Sequence, residues 1–152
     1  MALDSAAIID AVASHAAATG LFDRVNQHEP TNSPLSGLTA AVWVDKLGPA
    51  RLGSGLAATS ALLVLQVRIY SSVVQEPADA IDPNMLAAVD ALMAAYTADF
   101  TLDGLVKQVD VLGSEGTGLE AQAGYLELTD AVYRVMTITV PIICNDTWEQ
   151  QP

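Results

Sequence analysis

The chain has 152 residues with 18 acidic and 6 basic side chains, so its formal charge is −12. The six cations are spread singly along the sequence, which excludes a generic nucleic-acid binder, because such proteins cluster cations against phosphates. With 51% hydrophobic and 16% charged residues, the composition excludes a disordered chain and predicts a single domain over residues 1–152.

The first half of the chain predicts one helix followed by three strands. Alanine-rich, amphipathic residues 4–19 form the helix, which stops at Gly20. A short strand over residues 21–27 and a Pro-bearing loop over residues 29–37 precede a strand at 38–44. Residues 47–56 contain Gly and Pro and predict a mobile loop. The clearest strand, 62–71, is apolar on both faces in its first half, which predicts cover on both sides there.

The second half predicts one helix followed by three more strands. Asp82 is placed as the N-cap and Pro83 as the first helical residue of a helix that reaches Phe100. Strands are expected at residues 105–112, 119–128 and 131–143, with a glycine-rich turn at 113–118. The order α, β, β, β, α, β, β, β lacks βαβ alternation. It predicts an α+β fold with a mostly antiparallel, mixed sheet and two main helices packed on one face.

The residue patterns predict no catalytic, cofactor or metal site. Gly116-x-Gly118-x-x-Ala121 resembles a dinucleotide fingerprint, but a strand follows the glycines where the motif needs a helix, so a hairpin turn is favoured. A Cys144 nucleophile would need His15 or His28 as its base, whereas its apolar neighbours favour a buried residue at a strand end. Two histidines and one cysteine fall short of a structural zinc set, and no calcium loop is present.

Location can also be predicted from the sequence. A single cysteine cannot form an internal disulfide and fits a reducing cytosol. Residues 1–10 contain no Lys or Arg, so we expect no export signal. The most apolar stretch, residues 56–67, is shorter than the roughly 20 residues that span a bilayer, so we expect no membrane segment.

The order of elements resembles the tail terminator proteins of long-tailed bacteriophages, a group of minor tail proteins. The elements that carry the resemblance are residues 4–19, 29–37, 38–44 and 47–56, the strand ending Val67-Arg68-Ile69-Tyr70, the helix from Asp82-Pro83, and the closing run of residues 133–141. The resemblance covers essentially the whole chain and rests on pattern rather than on one motif.

The resemblance implies a structural virion protein rather than an enzyme, with no cofactor. It implies a hexameric ring that caps the tail tube, stops its polymerisation and provides the head-tail joining surface. The expected partners are further copies of the chain, the tail-tube protein and the head-tail connector protein, with genome DNA crossing the bore without specific binding. The expected location is the head-proximal end of the virion tail, after assembly in the host cytoplasm.

Charge and loop chemistry suggest candidate residues for such a ring. Six copies carry 6 × (−12) = −72 formal charges, which would repel transiting DNA if acids faced the bore. Asp45, Glu76 and Glu115 are the candidates for that role. Arg51 and Glu115, with the neighbouring glycines Gly53 and Gly116, are the candidates for contacts between subunits.

Two other functions stay open. A head-closure or tail-completion connector protein would share the size, acidity and ring habit of a terminator. A small cytosolic ligand-binding or enzymatic α+β domain would instead need a pocket with convergent polar groups.

Overall fold

The computed structural model describes residues 3–29, 37–51, 54–72, 78–128 and 131–151. Within them, two helices and six strands follow the predicted order α, β, β, β, α, β, β, β, with one turn of 3₁₀ helix ahead of the second helix. The elements are α1 (Ser5–Ala18), β1 (Arg24–Asn26), β2 (Thr39–Ala50), β3 (Ala58–Ser72), α2 (Ile81–Ala98), β4 (Gln108–Val109), β5 (Glu120–Leu128) and β6 (Ala131–Glu149).

The six strands form one curled, mixed sheet. Its order is β1-β2-β3-β6, and β6 is long enough to pair with β5 along its first half and with β4 at Ile142 and Ile143. The β1–β2 pair is parallel and the other pairs are antiparallel. The predicted α+β class is therefore confirmed.

Both helices pack on the same face of this sheet. The N-cap Asp4 accepts a hydrogen bond from the amide of Ala7 at 3.3 Å, and α1 then turns its buried stripe toward the strands. Because side chains alternate along a strand, only every second residue of β3 joins this core. The core includes Ile8, Val12 and Ala16 of α1, Met85, Val89 and Leu92 of α2, and Leu63, Leu65, Val67 and Ile69 of β3.

Three contacts among the described residues tie the helices to each other. The buried Tyr96 hydroxyl donates to the carbonyl of Val12 at 3.0 Å, and burial raises the pKa of this phenol. One helical turn away, His15 Nε2 lies 2.9 Å from Asp99 Oδ2, and the His15 ring meets the Tyr96 ring edge-on at 5.7 Å. The C-terminal halves of α1 and α2 are thereby joined.

The predicted start of α2 is wrong by two residues. The helix begins at Ile81, its N-cap is Ala80, and no side chain caps it. Asp82 lies in the first turn, where its charge favours the helix dipole. Its carboxylate accepts from Arg134 of β6 at 2.9 Å, so it joins helix to sheet instead of capping the helix.

Two strand predictions also need correction. Of the strand predicted at 105–112, only Gln108–Val109 pairs with β6, because Leu102, Asp103 and Gly104 adopt positive φ and turn the chain after α2. Conversely, β2 continues through residues 47–50, where a loop was predicted. Pro49 fits there because no described residue pairs with the outer edge of β2 beyond Ala41, so its missing N–H leaves no partner unsatisfied.

Candidate functional site

The sheet face opposite the helices is uncovered by any described helix. Its apolar part is a small buried cluster around Ala41, Tyr70, Tyr133 and Val135. Beside that cluster lies a groove of about 500 Å³, bounded by β2 on one side and by β5 on the other. This groove, named the sheet groove below, has the convergent polar groups expected of a binding site.

Two rows of polar side chains cross the floor of the sheet groove. The rows arise from strand register, since Gln66 and Arg68 of β3 lie opposite Thr139 and Thr137 of β6. The same register continues into the flanking strands. The first row is Trp43, Gln66, Thr139 and Glu120, and the second contains Arg68, Thr137 and Gln122.

Arg68 of the floor is held by several contacts, and 22% of its side chain is exposed. Its Nε donates to Thr137 Oγ1 at 2.8 Å, and its guanidinium carbon lies 5.2 Å from the centroid of the Trp43 ring. Glu29 Oε1 is 3.9 Å from Nη1. A guanidinium stacked on indole and bonded at Nε is held in one orientation.

The rim of the sheet groove is acidic. Glu29, Asp45 and Glu120 are exposed and line it, and Arg68 is the only described cation among its lining residues, so its local formal charge is 1 − 3 = −2. Asp45 was predicted to lie in a loop, but it lies within β2, at the bulge between Val44 and Lys46. The bulge accommodates one extra residue in the strand.

Arg134 of β6 holds the β5 wall of the sheet groove in place through contacts with two β5 residues. Its Nη1 donates to the carbonyl of Gly124 at 3.2 Å, and its guanidinium carbon lies 4.5 Å from the centroid of the Tyr125 ring. The hydrogen bond to Asp82 of α2 raises the pKa of Arg134. Strand β5 pairs with β6 on one edge, and no described residue pairs with its other edge.

Two buried hydroxyls at the apolar end of this face lack a hydrogen-bond partner among the described residues. They belong to Thr39 and Tyr70, which lie opposite each other in the β2–β3 pair. Burial raises the pKa of Tyr70, and the nearby positive charge of Arg68 partly offsets that rise. The Tyr70 hydroxyl makes no hydrogen bond of ordinary geometry to Arg68. An unpartnered buried hydroxyl is unfavourable for the folded state.

The predicted interface residues Arg51 and Glu115 come together within one chain. The Arg51 amide donates to Glu115 Oε2 at 2.7 Å, which joins the end of β2 to the turn before β5. Gly116 lies beside this contact, exposed, with φ of +133°. Gly53 and Glu76, the other predicted interface and bore residues, lie outside the described residues.

The turn that carries Glu115 is built around a buried carboxylate. Asp110 is 2% exposed and accepts from the Ser114 amide at 2.8 Å, the Ser114 hydroxyl at 2.8 Å and the Glu115 amide at 3.0 Å. Gly113 has φ of +80°, and a Cβ there would collide with the carbonyl of Gly116. As predicted, these glycines form a turn that leads into strand β5 and not into a helix. The predicted hairpin is wrong, because β4 and β5 each pair with β6 and not with each other.

The described residues do not assemble a nucleophile or a metal site. Cys144 is partly buried in β6, and burial raises the pKa of its thiol, which disfavours the reactive thiolate. His15 is paired with Asp99, and His28 is exposed. No group of three or more His, Cys, Asp or Glu side chains among the described residues could hold a metal ion.

Among the helices that the structure describes, none has the length and apolar character needed to cross a membrane. No family model and no curated protein matches the chain.

Proposed function

We propose that the chain is a structural virion protein, a tail terminator that forms a ring of six copies. The ring caps the phage tail tube, stops its polymerisation and offers the surface that joins the head. The observation that carries this proposal is the element order: the described residues contain two helices and six strands arranged α, β, β, β, α, β, β, β on one curled sheet. That order is the pattern on which the resemblance to tail terminators rests.

Exposed apolar side chains support association through one end of the sheet. Val44, Leu47 and Leu56 of the β2–β3 hairpin and Trp148 near the end of β6 are 45%, 49%, 96% and 41% exposed. Other large apolar side chains, such as Leu112 and Tyr125, are exposed elsewhere, so these four mark one candidate contact surface rather than a unique one. In a cyclic ring each subunit presents two different patches, and rotation between neighbours closes the assembly.

The acidic groove supports a role for the uncovered face in the bore. Asp45 lies on that face with Glu29 and Glu120, so a ring that turned this face inward would present carboxylates to passing DNA. Such a wall repels phosphates and lets the genome cross without binding. The same charges oppose ring closure, so salt or divalent cations should promote it by screening.

The mass of the purified protein by light scattering, measured from about 0.1 M to about 1 M salt and with magnesium, tests this proposal. We expect a species of six times 15.9 kDa that grows with ionic strength and shows a central hole in negative stain. A stable two-fold dimer under all conditions would contradict the ring. A monomer that also fails to bind assembled tail tubes would contradict it as well.

A pair of charge reversals tests the predicted subunit contact. Arg51→Glu should abolish or weaken the assembly while leaving the monomer folded. Arg24→Glu is the matched control, because Arg24 is also exposed and the change in net charge is the same. Equal assembly of both variants would remove Arg51 from the interface.

The sheet groove favours one alternative, a small ligand-binding domain. Its floor carries Gln66, Arg68 and Thr137 in one polar patch, which is the feature such a domain requires. A thermal-shift screen against nucleotides and common metabolites tests this function, since a specific ligand raises Tm by mass action. A shift that disappears in Arg68→Ala would favour the alternative.

A further inference from the structure

The outer edge of β5 is a nine-residue strand edge with little protection against pairing. Residues 121–126 contain no charge and no proline, and no described residue pairs with this edge. The outer edge of β2 beyond Ala41 is different, because β2 carries a bulge after Val44, the charge of Lys46 and the imino residue Pro49. Bulges, lysines and prolines are the devices that keep strand edges from pairing.

The β5 edge opens directly into the sheet groove. Five consecutive residues, Gln122 to Leu126, line the groove together with Trp43 and Asp45 on the opposite side. Unpaired backbone groups and a cavity of about 500 Å³ are therefore adjacent. An extended segment entering the groove would find main-chain donors and acceptors on β5.

We propose that the β5 edge and the sheet groove bind an extended segment of a partner protein that carries basic side chains. The segment adds a strand to β5, which is the β-augmentation mode of peptide recognition. This proposal does not rest on ring formation, because the edge and the groove belong to a single chain.

Charge decides the chemistry of the segment. The groove rim carries the carboxylates of Glu29, Asp45 and Glu120 within a protein of net charge −12. The one described cation of the groove, Arg68, is already stacked on Trp43 and bonded to Thr137. Basic side chains complement this rim, whereas acidic ones would meet like charge.

The alternation of β5 predicts the pattern within the segment. Side chains alternate along β5, with Glu120, Gln122, Gly124 and Leu126 on one face and Ala121, Ala123 and Tyr125 on the other, and the backbone of residues 122–126 borders the groove throughout. A strand paired to β5 alternates in the same way. Its groove-facing residues should be Lys or Arg, and the residues between them should be small and apolar to pack beside the two alanines and Tyr125.

Two synthetic peptides of about nine residues, the length of β5, are suitable probes for the full chain. One alternates Lys with Val, and the other replaces every Lys by Glu. The Lys peptide should slow hydrogen exchange of the β5 amides, because an added strand protects them. It should also change the fluorescence of Trp43 in a Trp148→Phe background.

Charge-neutral variants locate the binding site. Glu120→Gln and Asp45→Asn should each weaken binding of the Lys peptide about two- to fivefold at ~0.1 M salt. Asp90→Asn is the matched control, since it removes one exposed carboxylate from α2 and should change the affinity by less.

Four outcomes would overturn the proposal. They are no binding of the Lys peptide, equal binding of the Glu peptide, protection confined to residues outside β5, and protection of β5 that rises with protein concentration without peptide. The last outcome would show that a second copy covers the edge. The mass of the protein in solution reports ring formation, and hydrogen-exchange protection of the β5 amides reports peptide binding. The ring proposal and the peptide proposal can therefore fail independently.

Discussion

Replacement of Asp110 by Ala tests how the turn before β5 is held. The carboxylate accepts three hydrogen bonds, two from Ser114 and one from the Glu115 amide, at 2.8 to 3.0 Å. Hydrogen bonds to a charged group contribute about 1.5–3 kcal/mol, and Ser114 is exposed enough for water to replace part of them. We therefore expect Asp110→Ala to lower the free energy of unfolding by about 2–3 kcal/mol and Tm by roughly 5–10 °C.

Dependence on pH provides a second readout for the same carboxylate. Burial alone would raise the pKa of Asp110, but the amides of Glu115, Ser114 and Gly113 and the Ser114 hydroxyl outweigh it and lower the pKa. A carboxyl with a depressed folded pKa stabilises the fold above its unfolded value of about 3.9. That contribution is lost as pH falls through the folded pKa. The difference in unfolding free energy between the parent protein and Asp110→Asn should therefore shrink below about pH 4.

Urea unfolding at neutral pH and at about pH 3 measures both effects. Asp110→Asn retains one acceptor oxygen and should lose about half as much stability as the Ala variant at neutral pH. An Ala variant within about 0.5 kcal/mol of the parent would show that the turn does not depend on this carboxylate. A stability difference that stays constant as pH falls would refute the pKa argument.

Three further substitutions follow from single contacts, each measured by urea unfolding. Tyr96→Phe removes a satisfied buried hydrogen bond and should lower the unfolding free energy by about 1–1.5 kcal/mol, whereas Tyr70→Phe removes an unpartnered hydroxyl and should be neutral or stabilising. Equal losses in the two variants would contradict this reasoning. The Asp103 amide and His15 lower the pKa of Asp99, so Asp99→Asn should lose less than about 1 kcal/mol at neutral pH, since the carboxylate is one-third exposed. The stability lost in Asp99→Asn should shrink as pH drops through the depressed pKa of Asp99. A loss that stays the same at low pH would contradict the pKa argument.

The helices were predictable because local signals determine them. The predicted helix over residues 4–19 matches Ser5–Ala18 closely, since alanine-rich periodicity and a glycine stop act within the segment. The start of α2 was misplaced because an Asp-Pro pair also fits the interior of a first turn. Asp82 is held there by Arg134, 52 residues away, and no local pattern reveals that contact.

Strand boundaries depended on neighbours that the local sequence does not show. Gly48 and Pro49 predict a loop, but in β2 they pair with Leu62 and Ala61 across the hairpin. Residues 105–112 alternate like a strand, yet the chain uses them mostly for turns, because Asp99 accepts from the Asp103 amide and holds the turn after α2. Tertiary pairing overrode local propensity in β2, whereas after α2 a side-chain contact between residues four apart fixed the turn.

The candidate site was the least predictable part of the molecule. Arg68 and Thr137 are 69 residues apart, and only the β3–β6 register places them side by side. The available signal was the alternation of β3, whose later half turns polar on one face at Gln66 and Arg68. That signal locates a polar face, but it does not show which residues of β5 and β6 complete it.

The polarity of the uncovered face limits how subunits can meet. Placing an apolar surface over Gln66, Arg68 and Thr139 would strip water from groups that the surface could not hydrogen-bond, which is unfavourable by several kcal/mol in total. Water in a bore or a basic segment in the sheet groove avoids that penalty. Apolar contacts between copies are therefore expected at the hairpin end, around Val44 and Leu47, where large side chains are exposed and no polar row lies beneath them.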